Sequence, residues 1–190
     1  MLRIITGKAK GKKLETLLGD ETRPTSERIK EAIFSSIQFD IENRRVLDLF
    51  AGCGQLGLEA LSRGAVSVSF VDASRDAIDV VKRNAKATDF FEDCRYIVSD
   101  WRNYIRKAAG KDRYDLVFID PPYAMECCVD AAERLAEAEL IIPGAIIVLE
   151  SGDEEISESD ARLVGFEFVK STSYGKKTAV NVLIYRGKEA

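Results

Sequence analysis

From residue 44 onward, short apolar runs alternate with segments whose apolar residues recur at helical spacing. That alternation restricts the chain to a parallel sheet covered by helices on both faces. Arg45–Phe50 reads as a buried strand, followed by glycine-rich punctuation and a helix over Gln55–Arg63. Val66–Asp72 is a second strand, and Asp76–Ala87 carries Ala77, Val80, Val81 and Asn84 at helical spacing. Asp76 and Asn84 read as helix surface or packing. Cys94–Ser99 and Tyr114–Asp120 are the third and fourth strands, Glu126–Glu139 is a helix, and Ala145–Glu150 is a fifth strand. The run Leu116-Val117-Phe118-Ile119 is the unbroken apolar kind that a strand buried on both faces shows.

The chain ends differently. Phe166–Thr172 and Thr178–Tyr185 both read as strands, and the Tyr174-Gly175-Lys176-Lys177 connection is too short for a crossover, so this pair must be antiparallel. A parallel sheet finished by an antiparallel hairpin is an α/β pattern, the Rossmann-like fold of S-adenosylmethionine-dependent methyltransferases. Dinucleotide dehydrogenases usually lack that hairpin. Ahead of the sheet, Arg3–Thr6 and Lys13–Leu17 flank Gly7 and Gly11 and suit a small hairpin. A helix is expected from about Ser26 to Ile37, with Ile29, Ile33 and Ile37 on one stripe, Thr25 or Ser26 as its cap and Pro24 just before. The expectation is one domain over residues 1–190, with a basic hairpin and helix at 1–40 and a catalytic core at 41–190.

With 190 residues, 46% of them hydrophobic, the chain can bury one sizeable core. No stretch approaches the roughly 20 apolar residues that span a bilayer, and Met1–Lys8 lacks a secretory layout. A soluble cytoplasmic protein, without membrane partners, is expected. Cys53, Cys94, Cys127 and Cys128 form no C-x-x-C pair and there is no histidine, so no metal site is expected. Without imidazole, any chemistry must use carboxylates, backbone groups, or a reaction that moves few protons. The net charge of −4 is unevenly spread: residues 1–30 carry a net +4, leaving −8 for the rest. Such a basic arm is either simply solvated or meets a polyanion.

Asp48-Leu-Phe-Ala-Gly52-Cys-Gly54-Gln-Leu-Gly57 has the G-x-G-x-x-G spacing between a strand and a helix. One use of such a turn is to hold a dinucleotide pyrophosphate, with Asp72 on a ribose. The other is to hold S-adenosylmethionine. In that case Asp48 faces the amino end of the methionine moiety, and the backbone of Phe50, Ala51, Gly52 and Gly54 lies along the cofactor. Asp72 accepts from the ribose hydroxyls and Asp100 from the adenine amino group. Each carboxylate could instead simply cap the next helix.

Asp120-Pro121-Pro122-Tyr123 follows the fourth strand. Two prolines there could merely end it, but the whole segment has a joint chemical explanation. An amino group on a nucleobase is a poor nucleophile because its lone pair is delocalised into the ring. Acceptors on both N–H groups favour a pyramidal nitrogen. Asp120 can supply one acceptor, Pro121 a carbonyl fixed by ring torsions, and Tyr123 a face for an extruded base. The methyl donor is already activated, so placement and electrostatics suffice.

On these segments, together with Arg3–Lys8, Gly11–Leu14, Thr22–Arg28 and Val46–Gly64, the chain resembles the bacterial RsmD-type methyltransferases. These methylate the N2 amino group of a guanine in small-subunit (16S) ribosomal RNA. The resemblance covers almost the whole length. It implies that Asp48–Gly54, Asp72 and Asp100 bind S-adenosyl-L-methionine and that Asp120–Tyr123 clamp the target base. It also implies that Lys8, Lys10, Lys12, Lys13, Arg23 and Arg28 meet RNA backbone or the cofactor carboxylate. The implied partner is 16S rRNA within a small subunit or an assembly intermediate. Cys53 stands where the family often has serine, and no loss of function is expected from it. The alternatives are a methyltransferase for another amino group such as adenine N6, a nicotinamide-dependent oxidoreductase, and a non-catalytic RNA-binding module.

Overall fold

Two compact units account for the chain, Met1–Asp100 and Trp101–Ala190. The structure, a computed structural model, describes residues 2–17, 27–175 and 178–187. The expected cap at Thr25 or Ser26, Pro24, and the Lys176-Lys177 part of the last turn lie outside the described residues.

In the first unit β1 (Arg45–Asp48), β2 (Ser67–Asp72) and β3 (Cys94–Val98) are parallel, with β2 in the middle. Their register sets Asp48 level with Phe70, and Asp72 level with Val98. The carboxyl end of β1 therefore stops two residues short of that of β2, while β2 and β3 end level. Helix α1 (Glu27–Ser36) buries Ile29 and Ile33, and Ile37 just beyond it is buried too, so the expected stripe faces inward. Helix α2 (Gln55–Ser62) is buried along its whole length. A side chain at Gly57 would put its first carbon 2.4 Å from the Phe70 ring, so glycine is what lets α2 lie so close to β2. Helix α3 (Arg75–Ala87) starts on Ser74, whose hydroxyl accepts the Ala77 amide at 3.3 Å, and it has Asp76 in its first turn and Lys86 in its last.

The basic hairpin belongs to this unit. Ile4 and Lys12, Gly11 and Ile4, and Leu14 and Leu2 are joined by backbone bonds of 2.9 Å around an antiparallel Arg3–Lys13 bridge. Leu2, Ile4, Ala9 and Leu14 are buried. The hairpin is fastened to α2 through Glu59 and Ser62, the latter bonded to Thr6, Lys8 and Ala9. Glu59, wholly buried, accepts the Ile5 amide at 2.7 Å and the Thr6 amide at 3.0 Å, and pairs with Lys30 at 3.3 Å and Arg63 at 2.9 Å. Lys30 also donates to the Arg3 carbonyl at 2.6 Å. Burial pulls the Lys30 ammonium below its ordinary range, and Glu59 opposes that pull. Removing one member of such a buried pair strands the other and costs about 3–5 kcal/mol. Gly7 completes the joint: its φ is +88°, and an added side chain would collide with the Ser62 carbonyl.

The second unit opens with a helix that is not among those expected from the sequence, α4 (Trp101–Ala108). Trp101, Tyr104, Ile105 and Ala108 form its buried stripe, and the Tyr104 hydroxyl is hydrogen-bonded to that of Tyr114. Strand β4 (Tyr114–Ile119) leads into helix α5 (Cys128–Glu137), then β5 (Ile141–Ser151), β6 (Phe166–Tyr174) and β7 (Thr178–Tyr185). β4 and β5 are parallel, β7 is antiparallel to β5, and β6 is antiparallel to β7 at the edge. The terminal pair is the hairpin its short connection demands. Strand β5 starts four residues before the expected Ala145, running through Pro143-Gly144 where Gly144 has φ +88°. The β4–β5 register shifts between Tyr114 and Leu116, which accommodates that irregular start.

Candidate active site

The carboxyl ends of β1, β2 and β3 carry the three aspartates singled out in the sequence. Asp48 is buried, and its Oδ2 accepts the Gly57 amide at 3.0 Å in the first turn of α2. Asp72 is half-buried. Its Oδ2 accepts the Gly52 amide at 2.9 Å and its Oδ1 the Ser74 amide at 2.8 Å. It does not cap α3, a duty that falls to Ser74, but ties the glycine turn to the end of β2. A carboxylate oxygen has two lone pairs, so each oxygen of Asp72 has capacity for a further donor such as a ribose hydroxyl. Asp100 lies exposed at the start of α4, two residues past Val98.

The glycine turn is shaped for close approach. The Ala51 amide donates to the Val71 carbonyl at 2.9 Å and the Gly54 amide to the Ala51 carbonyl at 2.7 Å. Gly52 sits at φ +53°, and a side chain there would meet nothing within 4 Å. This open space adjoins the Asp72 carboxylate, which accepts the Gly52 amide. Cys53 is half-buried, and burial pushes its thiol up to about 11, so the side chain is neutral at physiological pH.

Two side chains important here are not apparent as such from the sequence. Asn84, read there as surface or packing, is 1% exposed and donates to the Cys53 carbonyl at 2.9 Å. Its partners stand 31 and 69 residues away, beyond any local pattern. In the second unit, Glu154 accepts the Cys128 amide at 2.8 Å and the Val129 amide at 3.1 Å. It thereby satisfies the first turn of α5, for which Cys127 offers no side-chain cap. The Cys128 thiol beneath is fully buried and held protonated by burial and by the Glu154 charge.

The Asp120–Tyr123 segment leaves β4 with Asp120 half-buried, Pro121 buried and Pro122 exposed. The backbone then makes a single tight turn at Tyr123–Met125, closed by the Met125 amide on the Pro122 carbonyl at 2.8 Å. Glu126 follows at φ +41°, a left-handed conformation that ends the turn. The expected helix start at Glu126 therefore moves to Cys128. The side chain of Tyr123 lies outside what the structure describes. Of the basic residues, Lys8, Lys10, Lys12, Lys13 and Arg28 are exposed, and Arg23 lies outside the described residues. Lys12 is 3.9 Å from Asp89, a loose surface pair of little energetic weight. Among the described residues no helix is long and apolar enough to cross a membrane.

These features define a Rossmann-like methyltransferase. A solved structure from Escherichia coli, described as a candidate methyltransferase, yhhF, matches 98% of this chain and 99% of its own with a TM-score of 0.84 and 26% identity. The chain belongs to the RsmD-type family: the family model described as conserved hypothetical protein 95 matches residues 2–183. The Haemophilus influenzae protein named ribosomal RNA small subunit methyltransferase D is 32% identical over 79% of this chain and 78% of its own. The Escherichia coli protein of the same name is 30% identical over 79% and 74%. This membership makes the cofactor S-adenosylmethionine rather than a nicotinamide dinucleotide.

Proposed function

We propose that the protein transfers a methyl group from S-adenosyl-L-methionine to the N2 amino group of a guanine in 16S ribosomal RNA. The observation that carries the cofactor half is the open, left-handed Gly52 beside an Asp72 carboxylate whose oxygens can take further donors. Phe50, Ala51, Gly52 and Gly54 would line the cofactor, Asp72 would take the ribose and Asp100 the adenine amino group. Asp48 would act at the methionine end while holding the start of α2. Bound there, the cofactor supplies a methyl group on a sulfonium leaving group.

The remaining work falls to the chain's own residues. The Asp120 carboxylate and the Pro121 carbonyl accept the two hydrogens of the target amino group, which localises the nitrogen lone pair for in-line attack. Pro121 and Pro122 restrict the torsions that aim those acceptors. Tyr123 stacks on the extruded base. No imidazole is required, in keeping with a chain that has none. Lys8, Lys10, Lys12 and Lys13, exposed on a hairpin anchored by Glu59, and Arg23 and Arg28 engage the RNA backbone. The names of the relatives support the ribosomal substrate, and we take the physical form of that substrate to be the small subunit or its assembly intermediate.

The deciding experiment is nucleoside mass mapping of 16S rRNA from cells with and without this chain. The expected result is loss of one N2-methylguanosine and its return when the purified protein and S-adenosylmethionine are added. Loss of an N6-methyladenosine instead would replace the guanine assignment with the adenine one.

A further inference from the structure

The basic hairpin and the glycine turn meet on a single side chain. Asn84 on α3 accepts the Glu15 amide at 2.8 Å through Oδ1. Through Nδ2 it donates to the Glu15 carbonyl at 3.0 Å and to the Cys53 carbonyl at 2.9 Å. The buried amide thus uses two donors and one acceptor, and leucine, of similar size, could offer none. Glu15 stands two residues after Lys13, in the segment that leaves the basic hairpin. Cys53 stands between Gly52 and Gly54, both at positive φ.

We propose that Asn84 is a positioning residue that couples the cofactor turn to the RNA-facing arm, so that each ligand raises the affinity for the other. The proposal rests on the reading that the turn binds S-adenosylmethionine and the arm binds RNA. Its physical basis is a shared frame. The Cys53–Gly54 peptide is held from both sides, its N–H on the Ala51 carbonyl at 2.7 Å and its carbonyl on Asn84 at 2.9 Å. A nucleoside lying beside Gly52 packs on the adjoining peptide and so restrains the same frame. Once the turn is ordered, the amide is presented to both polar groups of Glu15 in a fixed plane. The ordering entropy that RNA binding would otherwise cost at the arm is then already spent. Linkage requires the reverse effect to be equal.

Other contacts keep the arm in place when this one is cut. Glu59 holds Ile5 and Thr6, Ser62 accepts the Ala9 amide at 3.0 Å, and Arg83 pairs with the Glu15 side chain at 2.8 Å. Loss of the Asn84 side chain should therefore uncouple the sites without releasing the hairpin.

The test measures 16S rRNA affinity with and without saturating S-adenosylhomocysteine, and S-adenosylhomocysteine affinity with and without saturating rRNA. In the unaltered protein the two ratios should agree and be about five-fold or more. In Asn84→Ala and Asn84→Leu both ligands should still bind while both ratios fall to about one. A purely structural role would weaken both affinities and leave the ratios alone, and that outcome overturns the proposal. So does a ratio of one in the unaltered protein. Amide exchange supplies a reading that needs no variant: S-adenosylhomocysteine should slow exchange of the Glu15 N–H, and an unchanged rate refutes the coupling. Failure of the unaltered protein to bind either probe would overturn the functional reading itself, a result distinct from binding without coupling.

Discussion

The glycine turn and the Asp120–Glu126 segment are built on different plans. Side chains from β2 and α3 hold the turn, through Asp72 on Gly52 and Asn84 on Cys53, and Asp48 pins the helix that follows. The Asp120 segment takes its course from two prolines and one backbone bond at Pro122, and Glu154 fixes the helix beyond it. Residues proposed to touch the cofactor thus also carry structural duty at the turn, whereas the path of the chain after Asp120 is set by its own backbone. Substitutions in the turn should mix binding with stability, and a change at Asp120 should act chiefly on the chemical step.

The largest effect should come from Asp120→Ala. Loss of one preorganised acceptor at a reacting centre should lower the single-turnover methylation rate by roughly 10²-fold or more. Cofactor affinity should hardly change. Full activity would return the segment to a strand terminator. Tyr123→Phe separates stacking from chemistry in the same assay, being nearly silent in the first case and strongly impaired in the second. Next in size is Asp72→Ala, which should cost about 1–3 kcal/mol of cofactor binding by calorimetry. Here the melting temperature should fall too, because Gly52 and Ser74 lose their acceptor. A variant that lost binding at unchanged melting temperature would erase the distinction between the two regions.

Changing Lys8, Lys10, Lys12 and Lys13 together to Gln tests the arm. The slope of log RNA affinity against log salt should flatten by about 0.7 for each single-strand phosphate contact removed. Deletion of the arm is no substitute, since Leu2, Ile4 and Leu14 are buried and Glu59 would lose two amide donors. The smallest effect belongs to Cys53→Ser. With the thiol raised to about 11, cysteine and serine are both neutral small groups near pH 7.5, and activity should stay within about two-fold. A large loss would show that the sulfur itself contacts the cofactor.

How much of this was legible in the sequence follows from the range of the interactions. The strands other than β5, the closing hairpin and the inward stripe of α1 rest on periodicity and short connections, and they lie close to where those place them. Helix α4 is legible in the spacing of Trp101, Tyr104, Ile105 and Ala108, but eight residues give only two turns of that period to set against the surrounding loop. The start of α5 was misplaced because Glu126 adopts a conformation that its residue type rarely signals. The early start of β5 was hidden behind Pro143-Gly144, a pair that ordinarily marks a turn. Asp48, Asp72 and Asp100 could be named from their places at strand ends. Asn84, Glu59 and Glu154 could not, since their partners are brought near only by the folded topology.

Glu59 also sets a timetable. The partners it holds, Ile5 and Thr6, precede it by 54 and 53 residues, and Glu15 precedes Asn84 by 69. During synthesis, at about 5–20 residues per second, the hairpin is made seconds before the groups that fasten it. Through that interval the lysine-rich amino terminus has neither its carboxylate anchor nor its amide clamp, while it sits beside the RNA of the ribosome making it. The lysine-rich hairpin therefore stays unfastened until α2 and then α3 have emerged, and their arrival is what gives it a fixed shape.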